Sequence, residues 1–152
     1  MPERVATWLP RSLGDREAAI ALGSNLGDRE AMLKTARTEI AALPGTRLVG
    51  ESVVEETAPL GRADQPAFLN QMLLIETAME PRALLEALLA IEQRAGRVRG
   101  ERWGPRTLDC DIVLFGSRKI DEPGLSVPHP ELVNRDFWQR ELQGLDVNYE
   151  LG

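Results

Sequence analysis

The chain has 152 residues, the length of one ordinary domain that buries its apolar side chains in a single core. Its 43% hydrophobic and 28% charged residues lie close to the average of soluble globular proteins and exclude disordered, fibrous and membrane-spanning classes. A net charge of -6 excludes non-specific binding along nucleic acid, which depends on many lysine and arginine contacts to phosphates.

The first part of the chain predicts an extension, a strand and a helix. Residues 1–17 contain prolines and scattered charges without a sustained period, which predicts a loosely ordered N-terminal extension before one domain over 18–152. The apolar run at 18–22 predicts a buried strand, and the GSNLG segment after it lacks the lysine of a phosphate-binding loop and is typical of a turn. Asp28 is then placed to cap a helix over residues 29–42.

The middle of the chain predicts two more strands, a second helix and a last strand. Strand patterns occupy residues 46–56, 68–77 and 109–115, and leucines at helical spacing predict a helix over 81–95 that ends at Gly96. An arginine-rich loop follows this helix, and the chain after residue 115 is rich in turns. This order of elements predicts an α+β fold, a ferredoxin-like sandwich with a mainly antiparallel sheet and helices packed on one face.

An acidic pair, Asp109 and Asp111, lies on the last predicted strand. Side chains alternate across a strand, so the two carboxylates project to one face, while Cys110 between them faces the core. Two neighbouring carboxylates favour a hard cation such as Mg²⁺ between them. The alternative is that one aspartate ends the strand and the other pairs with an arginine.

Directly before this pair, arginines cluster at Arg94, Arg97, Arg99, Arg102 and Arg106. Guanidinium groups offer planar donors to phosphate oxygens, and Mg²⁺ binds carboxylates together with substrate phosphates. The two features predict a clamp for a polyphosphate, and the alternative is a solvated, salt-bridged loop. Trp103 favours the clamp, because a large aromatic side chain in a polar loop usually covers a ligand or a neighbour.

Two further pairs of residues are candidate ligand contacts. Phe68 and Asn70 share one face of a predicted strand, where a ring and an amide suit a heteroaromatic ligand; ordinary core packing is the alternative. His129 is the only histidine and lies between two prolines, with Arg135 close behind it. A phosphate contact by these two residues is one interpretation, and a surface histidine is the other.

Four segments resemble a known family: IALGSNLGDRE at 20–30, ETAPLGRADQPAFLNQ at 56–71, RVRGERWGPRTLDCDIVLFG at 97–116 and SVPHPELVNRDF at 126–137. In sequence and order they resemble 6-hydroxymethyl-7,8-dihydropterin pyrophosphokinase. The resemblance implies a ferredoxin-like α+β fold and a magnesium-dependent transferase, 2-amino-4-hydroxy-6-hydroxymethyldihydropteridine diphosphokinase. Such an enzyme moves pyrophosphate from ATP to the pterin hydroxymethyl group in folate biosynthesis and releases AMP.

The resemblance also implies roles for individual residues. Asp109 and Asp111 match the residues that bind two Mg²⁺ ions, and Arg97 and Arg106 match arginines that follow the transferred group. All four residues match catalytic positions. The residues that match the ATP side or the closing loop are Glu92, Arg99, Arg102, Trp103, His129 and Arg135.

On the pterin side, the resemblance implies a ring held between Phe68 and Phe137. Asn70 and the backbone of Thr57 and Leu60 would contact the ring edges. The chain departs from the family's pattern after Phe137, where a stretch of mixed polarity replaces an apolar stretch with a Pro-Leu pair, and residues 1–17 are additional.

These features predict ATP and the hydroxymethyl-dihydropterin as partners, without nucleic acid or membrane, in the cytoplasm. The single cysteine allows no internal disulfide, and the start of the chain lacks a secretory signal pattern. The alternatives are a non-catalytic nucleotide- or pterin-binding paralogue and a small regulatory sensor. The sequence predicts no oligomeric state.

Overall fold

The described chain alternates strands and helices around one central sheet. The computed structural model describes residues 11–25, 27–58, 67–99 and 108–151, and for residues 11 and 97–99 it describes the backbone alone. The elements in chain order are β1 (Arg11–Ser12), β2 (Glu17–Ser24), α1 (Arg29–Ala41), β3 (Thr46–Glu51), β4 (Glu55–Thr57), β5 (Phe68–Thr77), α2 (Pro81–Arg99), β6 (Asp109–Phe115), β7 (Ile120–Glu122), β8 (Leu125–Val127), a 3-10 helix (Pro130–Val133), α3 (Asp136–Gly144) and β9 (Val147–Asn148).

The central sheet is antiparallel, with its strands in the order β3-β5-β2-β6 and with β4 also paired to β5. β2 lies between β5 and β6, and all its residues from Ala18 to Ser24 are buried, which explains its nearly continuous apolar sequence. β6 is an edge strand of this sheet. Two small sheets complete the described topology, a parallel pair β1-β9 and an antiparallel pair β7-β8.

Helices α1 and α2 cover one face of the sheet. Asp28 caps α1 as predicted, because its Oδ1 accepts a hydrogen bond from the backbone N–H of Ala31 at 3.0 Å. The buried helix residues of this core are Leu33, Ala36 and Ile40 of α1 and Leu84, Leu88, Ile91 and Ala95 of α2. They pack on Ile20, Leu22, Leu73, Ile75, Cys110 and Ile112 of the sheet. Each fully buried leucine or isoleucine stabilises the fold by roughly 1.5–3 kcal/mol.

The opposite face is covered by α3, the 3-10 helix and the β1-β9 pair, so the prediction of helices on one face was incomplete. Trp138 and Leu142 of α3 pack there against Ala21 and Met72 of the sheet. The sequence pattern missed α3 because Glu141 is only 2% exposed and interrupts the apolar stripe of a helix that is buried on that side.

The fold class is confirmed: the described chain is a mixed α+β protein with an antiparallel sheet and helices packed on it. The predicted strands at 68–77 and 109–115 match β5 and β6, whereas the predicted end of the second helix at Gly96 was wrong, since α2 continues to Arg99. Of the helices in the described ranges, none has both the length and the apolar character needed to cross a bilayer.

The strand predicted over 46–56 is divided into β3 and β4. At the division, the Ser52 side chain replaces a backbone partner: its Oγ accepts a hydrogen bond from the N–H of Met72 at 2.9 Å. The Gln71 amide donates to the backbone oxygen of Ser52 at 2.7 Å. These bonds hold the chain beside β5 where regular pairing stops.

Only residues 11–17 of the predicted N-terminal extension lie within the described chain. There Leu13 is 7% exposed and packs in the core on the α3 side, and Arg11 and Ser12 pair with Val147 and Asn148 of β9. This short segment therefore contacts the core. The division of the whole chain into an extension and one domain stays a prediction.

Candidate active site

The acidic pair lies beside small residues of the central strand. Gly23 of β2 is paired with Asn70 of β5 on one side and with Asp109 of β6 on the other. Ala21, two residues earlier, is paired with Asp111. Because side chains two residues apart share a face, Asp109, Asp111 and Asn70 all project to the side of the sheet that α3 covers.

A pocket of about 260 Å³ opens on this side of the sheet. It brings together seven of the predicted site residues, which are Thr57, Phe68, Asn70, Asp109, Asp111, Arg135 and Phe137. The remaining lining residues, which the sequence did not single out, are Ala21, Leu22, Gly23, Ala58 and Trp138. Aromatic rings, an amide and two carboxylates thus share one concave surface, as in sites for small polar aromatic ligands.

The amide of Asn70 is held in a fixed orientation inside this pocket. Its Nδ2 donates a hydrogen bond to the Thr57 hydroxyl, which leaves Oδ1 directed towards the Gly23 side. A β-carbon at position 23 would lie 3.2 Å from this oxygen and 3.7 Å from the Phe68 ring. Gly23 therefore keeps the floor of the pocket open between Phe68 and Asn70.

His129 lies next to the acidic pair, with its Nε2 at 3.8 Å from Oδ1 of Asp111. Its Nδ1 accepts a hydrogen bond from the backbone N–H of Glu131 at 3.1 Å, so in the neutral ring the proton is on Nε2. Burial lowers the pKa of His129; the Asp111 carboxylate opposes this shift, and the Arg135 guanidinium adds to it. The imidazole is therefore mainly neutral at pH 7.

A second pocket of about 260 Å³ lies on the other side of Asp111. Asp111 lines both pockets, and His129 lines the second one. Other residues that line the second pocket are Leu85, Ile112, Ser126 and Pro130. Two ligands bound in the two pockets would thus meet at the Asp111 carboxylate.

The edge strand that carries the two aspartates is anchored by side contacts. Oε2 of Glu92, on α2, accepts a hydrogen bond from the backbone N–H of Cys110 at 2.7 Å. The backbone N–H of His129 donates to the Val113 oxygen at 2.9 Å. Burial, followed by the charge of Glu92, raises the pKa of the Cys110 thiol well above its usual value, so the thiol stays protonated. Cys110 belongs to the core on the α1 and α2 side of the sheet and lines the second pocket.

Arg135 lines the first pocket without a carboxylate partner in the described part of the chain. Its guanidinium lies 4.5 Å from the centre of the Trp138 ring, and its buried Nε has no hydrogen-bond partner among the described residues. A cation held on an aromatic face in this way remains able to bind an anion.

Comparison with known proteins identifies the family. Residues 19–147 match the family model of 7,8-dihydro-6-hydroxymethylpterin-pyrophosphokinase. This chain belongs to that pyrophosphokinase family. It is 48% identical over 118 residues to the 2-amino-4-hydroxy-6-hydroxymethyldihydropteridine pyrophosphokinase of Pseudomonas aeruginosa, with 78% of this chain and 73% of the relative aligned. Its identity to proteins of the same name is 42% in Methylorubrum extorquens and 45% in Haemophilus influenzae, over 79% of this chain and 76% and 75% of the relatives.

The predicted arginine clamp of this pyrophosphokinase lies largely outside the described residues. Leu60, Arg102, Trp103 and Arg106 fall outside them, as do the side chains of Arg97 and Arg99. Arg94, the first arginine of the cluster, is described and forms an ion pair with Glu39 of α1. This ion pair is the kind of contact that the salt-bridged alternative describes, and the polyphosphate clamp stays a prediction.

The donor set of the pocket fits Mg²⁺. Within the described ranges, no group of three or more His, Cys, Asp or Glu side chains is arranged to hold a metal by itself. Mg²⁺ does not need such a cage, because it is commonly held by one or two carboxylates, substrate phosphates and water. Asp109 and Asp111 offer two carboxylates on one face of β6; both line the first pocket, and Asp111 also lines the second.

Sequence reasoning missed the small residues of the pocket and Trp138. The sequence predicted a strand over 18–22 and a turn from Gly23, whereas β2 continues to Ser24. Ala21 and Gly23 therefore lie two positions apart on β2 and leave its pocket side without bulk. Trp138 gave no comparable signal. An aromatic residue near the end of a turn-rich segment is as typical of core packing as of a binding site.

Proposed function

We propose that this chain transfers the pyrophosphoryl group of ATP to the hydroxymethyl oxygen of 6-hydroxymethyl-7,8-dihydropterin, giving AMP and the pterin diphosphate. Family membership supports pyrophosphokinase activity in folate biosynthesis with these two substrates, and no relative favours a non-catalytic paralogue. The observation that carries the proposed site is Asp111, which lines both pockets. A group transferred from a ligand in one pocket to a ligand in the other would pass next to this carboxylate.

In this proposal the pterin occupies the first pocket. Phe68 and Phe137 supply flat apolar surface, and the amide of Asn70, oriented by Thr57, supplies a donor and acceptor for the ring edge. The backbone of Thr57 and Leu60 completes the proposed contacts. The family resemblance supports all five assignments.

ATP occupies the second pocket and the space beside the arginine-rich loop. We assign His129, Arg135, Glu92, Arg99, Arg102 and Trp103 to this side, in agreement with the family resemblance. His129 lines the second pocket, and Arg135 lines the first pocket close to His129. The N–H donors of these two residues would therefore lie on either side of the ATP phosphates.

The reaction that this site would perform is an in-line displacement at the β-phosphorus. The hydroxymethyl oxygen forms a bond to that phosphorus, the bond to the oxygen bridging the α- and β-phosphorus breaks, and AMP departs. Either Asp109 or Asp111 would accept the hydroxyl proton, and the pair would hold two Mg²⁺ ions, which when bound neutralise phosphate charge. Arg97 and Arg106 would stabilise charge that develops on the transferred group.

We also propose that the reaction takes place in the cytoplasm. The single cysteine is buried in the core and cannot form an internal disulfide, which fits a reducing compartment. The proposed partners are the two small-molecule substrates rather than nucleic acid or a membrane.

The direct test is to incubate the protein with ATP, Mg²⁺ and the hydroxymethyl-dihydropterin and to separate the nucleotide products. We expect AMP in equal amount to the pterin diphosphate. ADP as the product would show that a single phosphoryl group is transferred and would overturn the proposal.

The acidic pair gives a second test of the same site. Asp109→Asn and Asp111→Asn should each lower kcat at least about a hundredfold, because each removes one preorganised charge next to the reacting groups. Asp121→Asn, at an exposed position on β7, is the matched control and should leave kcat unchanged. Full turnover in either pocket variant would remove that aspartate from the site.

A further inference from the structure

All but one of the arginines with described side chains pair with a glutamate. Eight arginines with described side chains have a glutamate within ion-pair distance, and they are Arg16, Arg29, Arg37, Arg47, Arg82, Arg94, Arg118 and Arg140. Arg135 is the exception among the side chains that the structure describes, although it is partly buried and lines the first pocket.

What Arg135 has in place of a carboxylate is the ring of Trp138. The guanidinium carbon lies 4.5 Å from the ring centroid, inside the range of about 6 Å in which a cation is attracted to an aromatic face. Arg135 is the N-cap residue of α3, and Trp138 follows three positions later on the same side of the helix start. The contact is therefore built into the first turn of α3.

Trp138 also contacts His129. The two rings meet edge to face with centroids 5.0 Å apart, and the Nδ1 of His129 is already engaged by the backbone N–H of Glu131. Trp138 itself is 2% exposed and packs among the core residues of the α3 side, so its ring cannot turn freely. One buried ring thus contacts both an arginine and a histidine that line the pockets.

The difference between an aromatic and an acidic partner matters for phosphate binding. A carboxylate beside Arg135 would neutralise its charge and compete with phosphate for the same N–H donors. An aromatic face attracts the guanidinium without accepting those donors, so the cation is held in place while its N–H groups stay available.

We propose that Trp138 is a positioning residue for nucleotide binding: its ring holds Arg135 and His129 towards the phosphates without neutralising the arginine. This inference rests on the proposed function, since it takes Arg135 and His129 as contacts to ATP.

The test is a double-mutant cycle on nucleotide affinity, measured by calorimetry with α,β-methylene-ATP and Mg²⁺ in the absence of pterin. Trp138→Leu removes the aromatic face and leaves a smaller apolar side chain, whereas Trp138→Phe keeps an aromatic face. We expect Trp138→Leu to weaken binding roughly three- to thirtyfold, the range expected for loss of a cation–π contact, and Trp138→Phe to restore most of it.

The same pair of substitutions is then made in the Arg135→Ala background. If the ring acts through the guanidinium, Trp138→Leu should have a smaller effect there, because Arg135, one of the two groups that the ring holds, is gone. Equal loss of affinity in both backgrounds would overturn the inference, since a general loss of packing weakens binding whether or not Arg135 is present. Equal affinity of the Leu and Phe variants would overturn it as well.

Binding and turnover separate this inference from the proposed function. If the protein binds the nucleotide and shows the coupling but produces no AMP, the function fails and the role of Trp138 stands. If AMP forms normally and the coupling is absent, the function stands and the role of Trp138 fails. A protein that does not bind the nucleotide overturns both.

Discussion

Glu92 holds the backbone between the two aspartates. Its carboxylate accepts the Cys110 N–H at 2.7 Å from the helix side of the sheet, at an edge strand that has no neighbouring strand there in the described central sheet. The family resemblance assigns Glu92 to the ATP side, and this assignment stays a prediction. The observed bond shows how Glu92 can affect the site by fixing β6.

We therefore expect Glu92→Ala to lower the free energy of unfolding by about 1.5–3 kcal/mol, as for loss of a hydrogen bond to a charged acceptor. Glu92→Gln keeps a carbonyl oxygen in reach of the amide and should recover more than half of this loss. Urea unfolding measures both. Glu86→Ala, at an exposed position on the same helix, is the control and should change stability by less than about 0.5 kcal/mol.

At the residue scale, chemistry that depends on strand alternation could be predicted from the sequence. Asp109 and Asp111 share a face because they are two positions apart, and the same holds for Phe68 and Asn70. The partner of a side chain could not be predicted in this way. Whether an arginine meets a glutamate or a tryptophan depends on tertiary contacts that sequence spacing does not encode.

At the scale of single elements, α3 contains a buried acid. Glu141 is 2% exposed, and its carboxyl oxygens have no hydrogen-bond partner among the described residues. Burial, followed by the negative charge of Glu55 on β4, raises its pKa to about 8, which Arg140 only partly offsets. The protonated form of Glu141 is therefore favoured in the folded state, because a charged carboxylate at the contact between α3 and β4 would be poorly solvated.

This raised pKa predicts how stability depends on pH. The folded state binds a proton at Glu141 more tightly than the unfolded state, whose pKa is near 4.5. Proton binding at Glu141 thus contributes fully to the free energy of unfolding below pH 4.5, and this contribution is lost as pH rises to about 8. The free energy of unfolding falls by at most about 1.4 kcal/mol per pH unit from this group. Thermal unfolding at a series of pH values should show this decline.

Glu141→Gln keeps the size of the side chain without the charge, so it should flatten the decline and be more stable than the parent at pH 8. Glu150→Gln, at an exposed position, is the control and should keep the parental pH dependence. A Gln variant that follows the parental curve would show that another group causes the decline.

Helix α3 could not be predicted from the spacing of its apolar residues, unlike the two other helices. Helices α1 and α2 were predicted because their apolar residues recur at helical spacing and cover one continuous stripe. In α3 the stripe includes Glu141, which counts as polar in any periodicity.

At the scale of the whole molecule, the sheet is covered on both faces and the two ends of the described chain meet. β1 pairs with β9, and Leu13 after β1 packs in the core on the α3 side. The fold class followed from the order of strands and helices. The second layer did not, because it is built from short segments with weak periodicity.

Leu13→Ala tests whether this second layer contributes to stability. We expect a loss of about 2–3 kcal/mol in the free energy of unfolding, near the lower end for truncating a buried leucine, because Leu13 lies at the rim of the core. Leu151→Ala, at a position 47% exposed, should cost less than about 0.5 kcal/mol. Equal effects of the two substitutions in guanidinium chloride would show that residues 11–17 add little to the core.

The contacts along β6 bear on how the protein behaves at high concentration. An edge strand with free backbone groups invites a strand from a neighbouring molecule, which is a common route to aggregation. Here Glu92 engages the Cys110 amide, and the backbone of His129 engages the Val113 carbonyl. The bonds that keep the acidic strand in place therefore also occupy two backbone groups with which a strand of another molecule could pair. We expect them to oppose aggregation as well as to support the site.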